Sequence, residues 1–431
     1  MNHIRTHKRQ LICSKADQCL MENTSRYYRR FVRHLIVLIN NNWAILDGDI
    51  SNLAIKKIEN LIVPTKHNPN PKYQHFNQYF YKFPSYLRRA AIMDAVGQVS
   101  SFRTRYDAWL DEHKETDRPP RLNPECRSNP TLYKGNCYKK LSNDRVAIKL
   151  FDGVNWIWCE FNLRGSNRYQ GTEMSPALVR KYKSWFLAYP TKIEVKSHKS
   201  SDCVLSVDIG INKSAVISVV NSSGTVIHRE FFDRTDKDRQ YQIRQRIRNS
   251  RKKSGGSCAK FCASHYRKLS YLATDQAHQI SRKIVRLANH YNCTAIIMED
   301  LKFWKPKSGK KGSNLKTKFH MWFKSSLMDK IRDKAALLGI KTCYVHPSNT
   351  SKYAFDGSGV VKRDERNATL ARFTTGKCYH ADLNAAYNIA ARGIIKFFHP
   401  HLCEQMWSAG KPNVCLTTGN PLTLSAIWLI K

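Results

Sequence analysis

The run TAIIMEDL, residues 294–301, is apolar without interruption from Ala295 to Met298 and then ends in two acids. A short apolar run with no polar alternation has both faces to bury, which is the requirement of a parallel strand covered by helices on each side. Neighbouring segments supply the rest of such a sheet. VLSVDIGINKSAVISVVNSSGTVIHREFF, from Val204, reads as three short strands with Ser222-Ser223-Gly224 turning between the second and third. Helical spacing runs from about His265 to Tyr291, with Leu269, Ala273, Ala277, Ile280, Ile284 and Leu287 on one face. A further helix near Met321 to Leu338 stops at Gly339, ahead of the strand IKTCYVHP. This alternation predicts an α/β sheet domain over residues 201–398.

At 431 residues the chain is long enough for two or three domains. Upstream, RYYRRFVRHLIVLIN and PSYLRRAAIMDAVGQVSSFRTRYDAWL repeat apolar residues at helical spacing. In the second of these, Leu87, Ala91, Ala95, Val99, Phe102 and Tyr106 mark the buried stripe, leaving Arg88, Arg89, Arg103 and Arg105 mainly outward. After the polar, proline-rich break DEHKETDRPPRLNPECRSNP, the segments RVAIKLFDGVNWIWCEFNLR and TKIEVKSH alternate β-branched and aromatic residues with polar ones around turns. We therefore expect a helical module over 26–120 inserted into a β-rich domain made of 1–25 and 121–200. Residues 399–431 read as a loop-rich tail with an apolar end.

Lys and Arg number 73 against 33 Asp and Glu, a formal net charge of +40. Self-repulsion on that scale calls for a polyanion, and nucleic acid is the first candidate. A disordered basic tail is excluded by 42% hydrophobic residues and by 20 Tyr, 18 Phe and 9 Trp. Tyr27, Tyr28, Trp43, Tyr79, Phe80 and Tyr81 interleave with basic residues, and we assign them to the core rather than to base stacking. There is no apolar run of about eighteen residues, and none follows the basic N-terminus, so a cytoplasmic protein without a membrane span is expected. The 13 cysteines are scattered and read as reduced, mostly buried thiols. Cys258 and Cys262 sit in or beside KFCASHY, which reads as helix and offers no second pair at zinc-knuckle spacing.

In so basic a chain, acids beside buried strands need a counter-charge. Asp208 ends the strand VLSVD and is followed by Ile-Gly, where the missing side chain lets a substrate backbone approach. Glu299 ends AIIM, and Asp382 opens a helix whose Leu383, Ala386 and Ile389 share one face. Taken alone, Asp382 is explained as an N-cap. If the strands of Asp208 and Glu299 lie parallel and adjacent, both carboxylates emerge at one sheet edge, and Asp382 completes the cluster. Three such groups repel by several kcal/mol at low dielectric, which calls for divalent cations, and an all-oxygen donor set selects Mg²⁺ or Mn²⁺. A pair of these ions about 4 Å apart serves phosphodiester hydrolysis.

The motifs SVDIGINKSAVIS, AIIMEDLKFW and YHADLNAAYNIAARG, in this order, resemble the three RuvC motifs of the TnpB proteins and the type V CRISPR effector nucleases, the third being the most specific. The resemblance covers roughly Cys203 to Phe398, and the earlier part agrees only in layout. It implies an α/β fold with an RNase H-like (RuvC) nuclease domain plus an N-terminal β-rich wedge domain carrying an inserted helical recognition module. It further implies RNA-guided DNA cleavage, with guide RNA and target DNA as partners, Mg²⁺ or Mn²⁺ as cofactor, and catalytic, metal-binding roles for Asp208, Glu299 and Asp382. Phosphate contacts are expected from Arg88 and Arg89 and from Arg244, Arg248, Arg251, Lys252 and Lys253, which lie between the first two motifs. Two other functions stay open: an RNA-guided DNA binder with weak or no cleavage that acts by occupancy or recruitment, and a guide-independent, structure-specific nuclease.

Many relatives carry two Cys-x-x-Cys pairs ahead of the third motif. Here the segment 346–381 has only Cys378, with Ala354 and Gly357 at the equivalent places. One thiolate does not hold a tetrahedral zinc, so a zinc-free lid of short strands joined by turns at Asp356-Gly357 and Thr375-Gly376 is expected. Elemental analysis of the purified protein should find no stoichiometric zinc; one zinc per chain would overturn this expectation.

Overall fold

A computed structural model of the chain describes residues 2–46, 48, 52–112, 118–124, 128–210, 213–233, 235–255, 258, 261–301, 324–364, 367, 369–408 and 422–430. The fold is mixed α/β and divides into two units, residues 2–194 and 195–431.

In the first unit, strand β1 (Asn2–Ile12) joins a sheet whose other members come much later in the chain. These are β2 (Tyr138–Lys140), β3 (Arg145–Phe151), β4 (Trp156–Arg164), β5 (Thr172–Glu173), β6 (Ala177–Lys181) and β7 (Ser184–Glu194). The order is β2-β3-β4-β1-β7-β5, with β6 also on β7; β1 runs antiparallel to β7 from Asn2↔Glu194 to Gln10↔Phe186. Between β1 and β2 come the helices α1 (Lys15–Asn41), α2 (Asn52–Ile62), α3 (His75–Tyr79) and α4 (Ser85–Glu112).

Helix α1 begins well before the Arg26 read from periodicity, because Ser14 and Asp17 close a capping box. Asp17 N donates to Ser14 Oγ (3.1 Å) and Ser14 N donates to Asp17 Oδ2 (2.8 Å). Phe31, Leu35 and Ile39 of α1 share one core with Leu87, Ala91, Ala95 and Val99 of α4 and with Val146, Ile148, Leu150 and Leu187 of the sheet. Phe102 and Tyr106, expected in that stripe, are only half-buried. Tyr28 and Phe80 are core residues, and Tyr27 stacks on Phe151 with ring centroids 4.4 Å apart. Tyr79 and Tyr81 depart from the expected core assignment, being 57% and 69% exposed.

The second unit holds the predicted sheet: β8 (Cys203–Asp208), β9 (Ala215–Asn221), β10 (Val226–Phe232), β11 (Ala295–Glu299) and β12 (Lys341–Val345), in the order β10-β9-β8-β11-β12. The three consecutive strands are antiparallel, while β8, β11 and β12 run parallel. Helix α5 (Lys237–Lys253) packs on α6 (Ala263–His290) through Ile243, Ile247 and Leu269. Cys262 is not helical as expected: it takes a left-handed backbone (φ 50°) at the N-cap of α6. Ile280 and Ile284 of α6, with Leu327 and Ile331 of α7 (Lys324–Leu337), cover one sheet face through Leu205, Val207, Ile217, Ile296 and Met298. The opposite face, Val204, Val216, Val220 and Ile297, receives α8 (Ala381–Phe398). Thus the apolar run is buried on both sides, Ile296 and Ile297 belonging to different layers.

Between β12 and α8 lies a three-stranded sheet of β13 (Lys362–Arg363), β14 (Leu370–Arg372) and β15 (Cys378–His380), with Gly357 and Gly376 in turns at positive φ. Past α8, two helices form in the stretch read as a loop-rich tail, α9 (Pro400–Ser408) and α10 (Leu424–Trp428), and Leu424 and Ile427 are buried against α8; residues 409–421 of that reading lie outside the described residues. Among the described residues no helix is long and apolar enough to cross a membrane.

Helix α8 sits close to the sheet because its contact seam is small. A Cβ at Gly393 would lie 2.4 Å from Ile297 Cγ1. Gly393→Ala should therefore cost about 1–3 kcal/mol in chemical denaturation. In a double-mutant cycle with Ile297→Ala the paired loss should fall short of the sum of the single losses, since the second change removes the obstructing atoms.

Candidate active site

Asp208 is the last residue of β8 and Glu299 the last of β11. Because Val207 pairs with Met298 across parallel strands, the two carboxylates leave the sheet at the same edge. Asp382 lies in the first turn of α8. It is not the N-cap that the sequence suggests: that position is His380, which makes no side-chain cap hydrogen bond. Within the first turn the positive helix end still favours its charge. Gly210 keeps the approach open, since a Cβ there would lie 3.7 Å from Asp382 Oδ2 and 3.0 Å from Lys213 O.

The acids influence one another. Burial pushes the Asp208 carboxyl well above the usual carboxylate range, the negative charges of Glu299 and Asp382 push it further, and Arg363 acts in the opposite sense. Burial also raises Glu299, while a hydrogen bond from Thr350 and the charge of Arg392 lower it. Arg392 is itself 5% exposed, and burial brings its guanidinium down to about 10 against the pull of Glu299. As they stand, no three His, Cys, Asp or Glu side chains among the described residues group closely enough to hold a metal ion. The donor chemistry nevertheless fits one: oxygen ligands at a sheet edge with a surplus of negative charge suit a hard divalent cation.

Sequence reasoning missed the polar stripe of α8. Asn384, Asn388 and Arg392 follow at four-residue spacing and are all buried. Asn384 Nδ2 donates to Tyr353 O (2.8 Å), and Phe355 N donates to Asn384 Oδ1 (2.8 Å). Asn388 Nδ2 donates to Thr350 O and to Tyr353 O, both at 2.9 Å. Arg392 donates to His346 O and, at 2.7 Å, to Ser348 O. Helix α8 thereby grips the backbone of 346–355, the loop that leaves β12. The signal was present in NAAYNIAAR, where two amides and a guanidinium recur on a helix otherwise built of small apolar residues.

The basic candidates divide by surroundings. On α5, Arg248, Arg251, Lys252 and Lys253 are exposed. Arg244 is half-buried, and burial lowers its pKa against the influence of Tyr266. In the first unit Arg88 is half-buried rather than outward, its Nε donating to Glu59 Oε1 at 3.0 Å, and Arg89 Nε lies 3.7 Å from the same oxygen. Arg103 likewise turns inward, donating to Asn40 O (3.1 Å) and Oδ1 (3.0 Å).

Two family models match this chain: the Aq_aa04 family over residues 5–152 and the Cas12f1-like TNB domain over residues 325–389, which takes in the insert and Asp382. The chain is 28% identical over 240 residues to the CRISPR-associated endodeoxyribonuclease Cas12f2 of Micrarchaeota archaeon (strain CG1_02_47_40), covering 50% of this chain and 42% of that one. It is 27% identical over 172 residues to the TnpB-like protein MJ0751 of Methanocaldococcus jannaschii, covering 37% and 58%. In fold it is similar to the protein of a Cas12f1-sgRNA-target DNA complex solved by cryo-EM, with a TM-score of 0.50 at 13% identity over 90% of this chain and 99% of that one. The chain spans about half the length of the curated relatives it matches. The class these matches define is that of the TnpB and type V CRISPR effector proteins. This chain is similar to the Cas12f and TnpB-like members of that class, and its segment 346–381 carries a single cysteine, Cys378.

The raised Asp208 has a consequence for stability. Between the ordinary carboxylate pKa, about 4, and its higher folded value, the folded state holds a proton that the unfolded chain has released, so this group's contribution declines as pH rises through that window. In EDTA, Asp208→Asn should melt near the wild-type temperature at about pH 4 and increasingly above it as the pH is raised. A gap that stays constant with pH would show that Asp208 carries no such penalty.

Proposed function

We propose that this chain is an RNA-guided DNA endonuclease that hydrolyses phosphodiester bonds in a RuvC-like site with Mg²⁺ or Mn²⁺. The observation that carries the reading is the position of Asp208: in a chain of net charge +40, its carboxyl is pushed toward protonation by burial at the end of its strand and further by the charges of Glu299 and Asp382. Such a grouping is costly unless a cation or a reaction uses it. The strand order β10-β9-β8-β11-β12, three antiparallel strands followed by two parallel ones, supports an RNase H-like nuclease domain. One relative is a CRISPR-associated endodeoxyribonuclease, and the similar fold was solved with single-guide RNA and target DNA.

In this reading Asp208 and Asp382 hold the metal, and Glu299 holds a second ion or orients water. When bound, the ions supply positive charge opposite the charge developing on the phosphodiester oxygens. The chain's own part is to fix two carboxylates on adjacent strand ends, to bring the third in on α8, and to meet phosphates with the exposed Arg248, Arg251, Lys252 and Lys253 of α5. The β-rich and helical parts of residues 2–194 correspond to the wedge and recognition modules that hold guide RNA. A second reading, an RNA-guided DNA binder without strong cleavage, draws on one observation: the three acids are not grouped tightly enough to hold an ion as they stand.

Asp208→Ala should leave guide RNA and target DNA binding nearly intact while reducing Mg²⁺-dependent cleavage by more than about a thousandfold. Retained cleavage would remove Asp208 from the chemistry. A wild-type protein that binds both nucleic acids and leaves DNA whole in Mg²⁺ would favour the second reading, and purification without stoichiometric RNA would point to guide-independent nuclease action.

A further inference from the structure

We propose that Thr350 is a positioning residue for Glu299: its hydroxyl holds one carboxylate oxygen at the sheet edge, so that the other is the one available to a divalent ion. This deepens the metal-dependent reading of Asp208, Glu299 and Asp382 and rests on it. Thr350 is 3% exposed, and its Oγ1 lies 2.5 Å from Glu299 Oε1 and 3.1 Å from Pro347 O. A hydroxyl has one proton to donate, and the shorter contact, to the acid, is the charge-assisted one. A buried threonine whose task was only to fill space would be better served by valine, because an unpaired hydroxyl there carries a desolvation cost.

What makes the contact directional is the grip on Thr350 itself. Its carbonyl accepts from Asn388 Nδ2 at 2.9 Å, and the same amide nitrogen holds Tyr353 O, also at 2.9 Å. Arg392 holds the loop on the other side, at His346 O and Ser348 O. Both side chains belong to α8, the helix that carries Asp382. One helix thus carries Asp382 in its own first turn and reaches Glu299, at the end of β11, through Asn388 and Thr350. Outer partners of metal-binding carboxylates act in this way, and their loss costs about 10- to 100-fold in metal affinity or activity.

The test uses the 431-residue chain together with any RNA it retains on purification and compares wild type, Thr350→Val and Thr350→Ser. The first readout is DNA cleavage titrated with Mg²⁺, and the second is calorimetric binding of Mn²⁺. Thr350→Val should raise the Mg²⁺ concentration for half-maximal cleavage about tenfold and weaken Mn²⁺ binding by a similar factor, with DNA binding unchanged. Thr350→Ser, which keeps the hydroxyl and drops the methyl, should restore both to within about threefold of wild type. A Thr350→Val protein with the wild-type Mg²⁺ midpoint and Mn²⁺ affinity would overturn the assignment, as would a Thr350→Ser protein as impaired as Thr350→Val. If Thr350→Val does not fold, Thr350→Ala, which cannot overpack the site, takes its place with the same expectation. A wild type that neither cleaves DNA nor binds Mn²⁺ would sink the metal-dependent reading and this assignment together, whereas equal behaviour of wild type and Thr350→Val would sink this assignment alone.

Discussion

The close seating of α8 on the central strands is the constraint from which the rest of the second unit follows. Gly393 meets Ile297 where even a methyl group would collide, and Ala386, Ala390 and Ala391 are likewise buried along the helix. Small residues let backbone approach backbone, so the helix axis is fixed relative to β8 and β11 to within the width of a side chain. That seating brings the first turn, with Asp382, over the end of β8, where Gly210 leaves it room.

The same seating buries three polar side chains on α8, and all three bind loop backbone. Burial of an amide or a guanidinium is tolerable only with its hydrogen bonds made. Asn384, Asn388 and the two terminal nitrogens of Arg392 donate to carbonyls of the segment between β12 and the small sheet, so the helix anchors the loop, while Arg392 Nε is left buried without a partner among the described residues. Arg392 also brings a positive charge toward Glu299, which tempers the burial of that acid without neutralising the cluster around Asp208.

The insert carrying β13–β15 has an internal hold of its own. Ala354, Ala371, Phe373 and Ala381 form a small buried cluster with Phe355 and Tyr379 packed against it, and Lys377 Nζ lies over the Phe355 ring at 5.0 Å. The final segment reaches it as well: Ser425 N donates to Phe355 O at 2.8 Å, and Ser425 Oγ occupies the space a Cβ at Gly357 would need. At Ala354 and Gly357 the chain thus uses apolar packing and a contact from the segment around Ser425.

The five strands of the second unit's larger sheet and helices α6, α7 and α8 were legible from hydrophobic spacing, because each buries a face whose period the sequence records: Ile296 and Ile297 face opposite layers, and Leu383, Ala386 and Ile389 face the sheet; helix α5 was legible only as a basic run. Asp208 and Glu299 at the ends of adjacent parallel strands could be anticipated too, since charges at the ends of apolar runs stand out in so basic a chain. Exposure was not: Arg88 and Arg103 turn inward because Glu59 and Asn40, distant in sequence, come within reach. Nor does sequence reveal that Asp382 sits inside its helix rather than at the cap, or that Thr350 reaches Glu299. Local periodicity determined which segments became strands and helices. Only the tertiary structure decided which side chains meet, because hydrogen bonds act over about 3 Å between atoms that the chain holds dozens of residues apart.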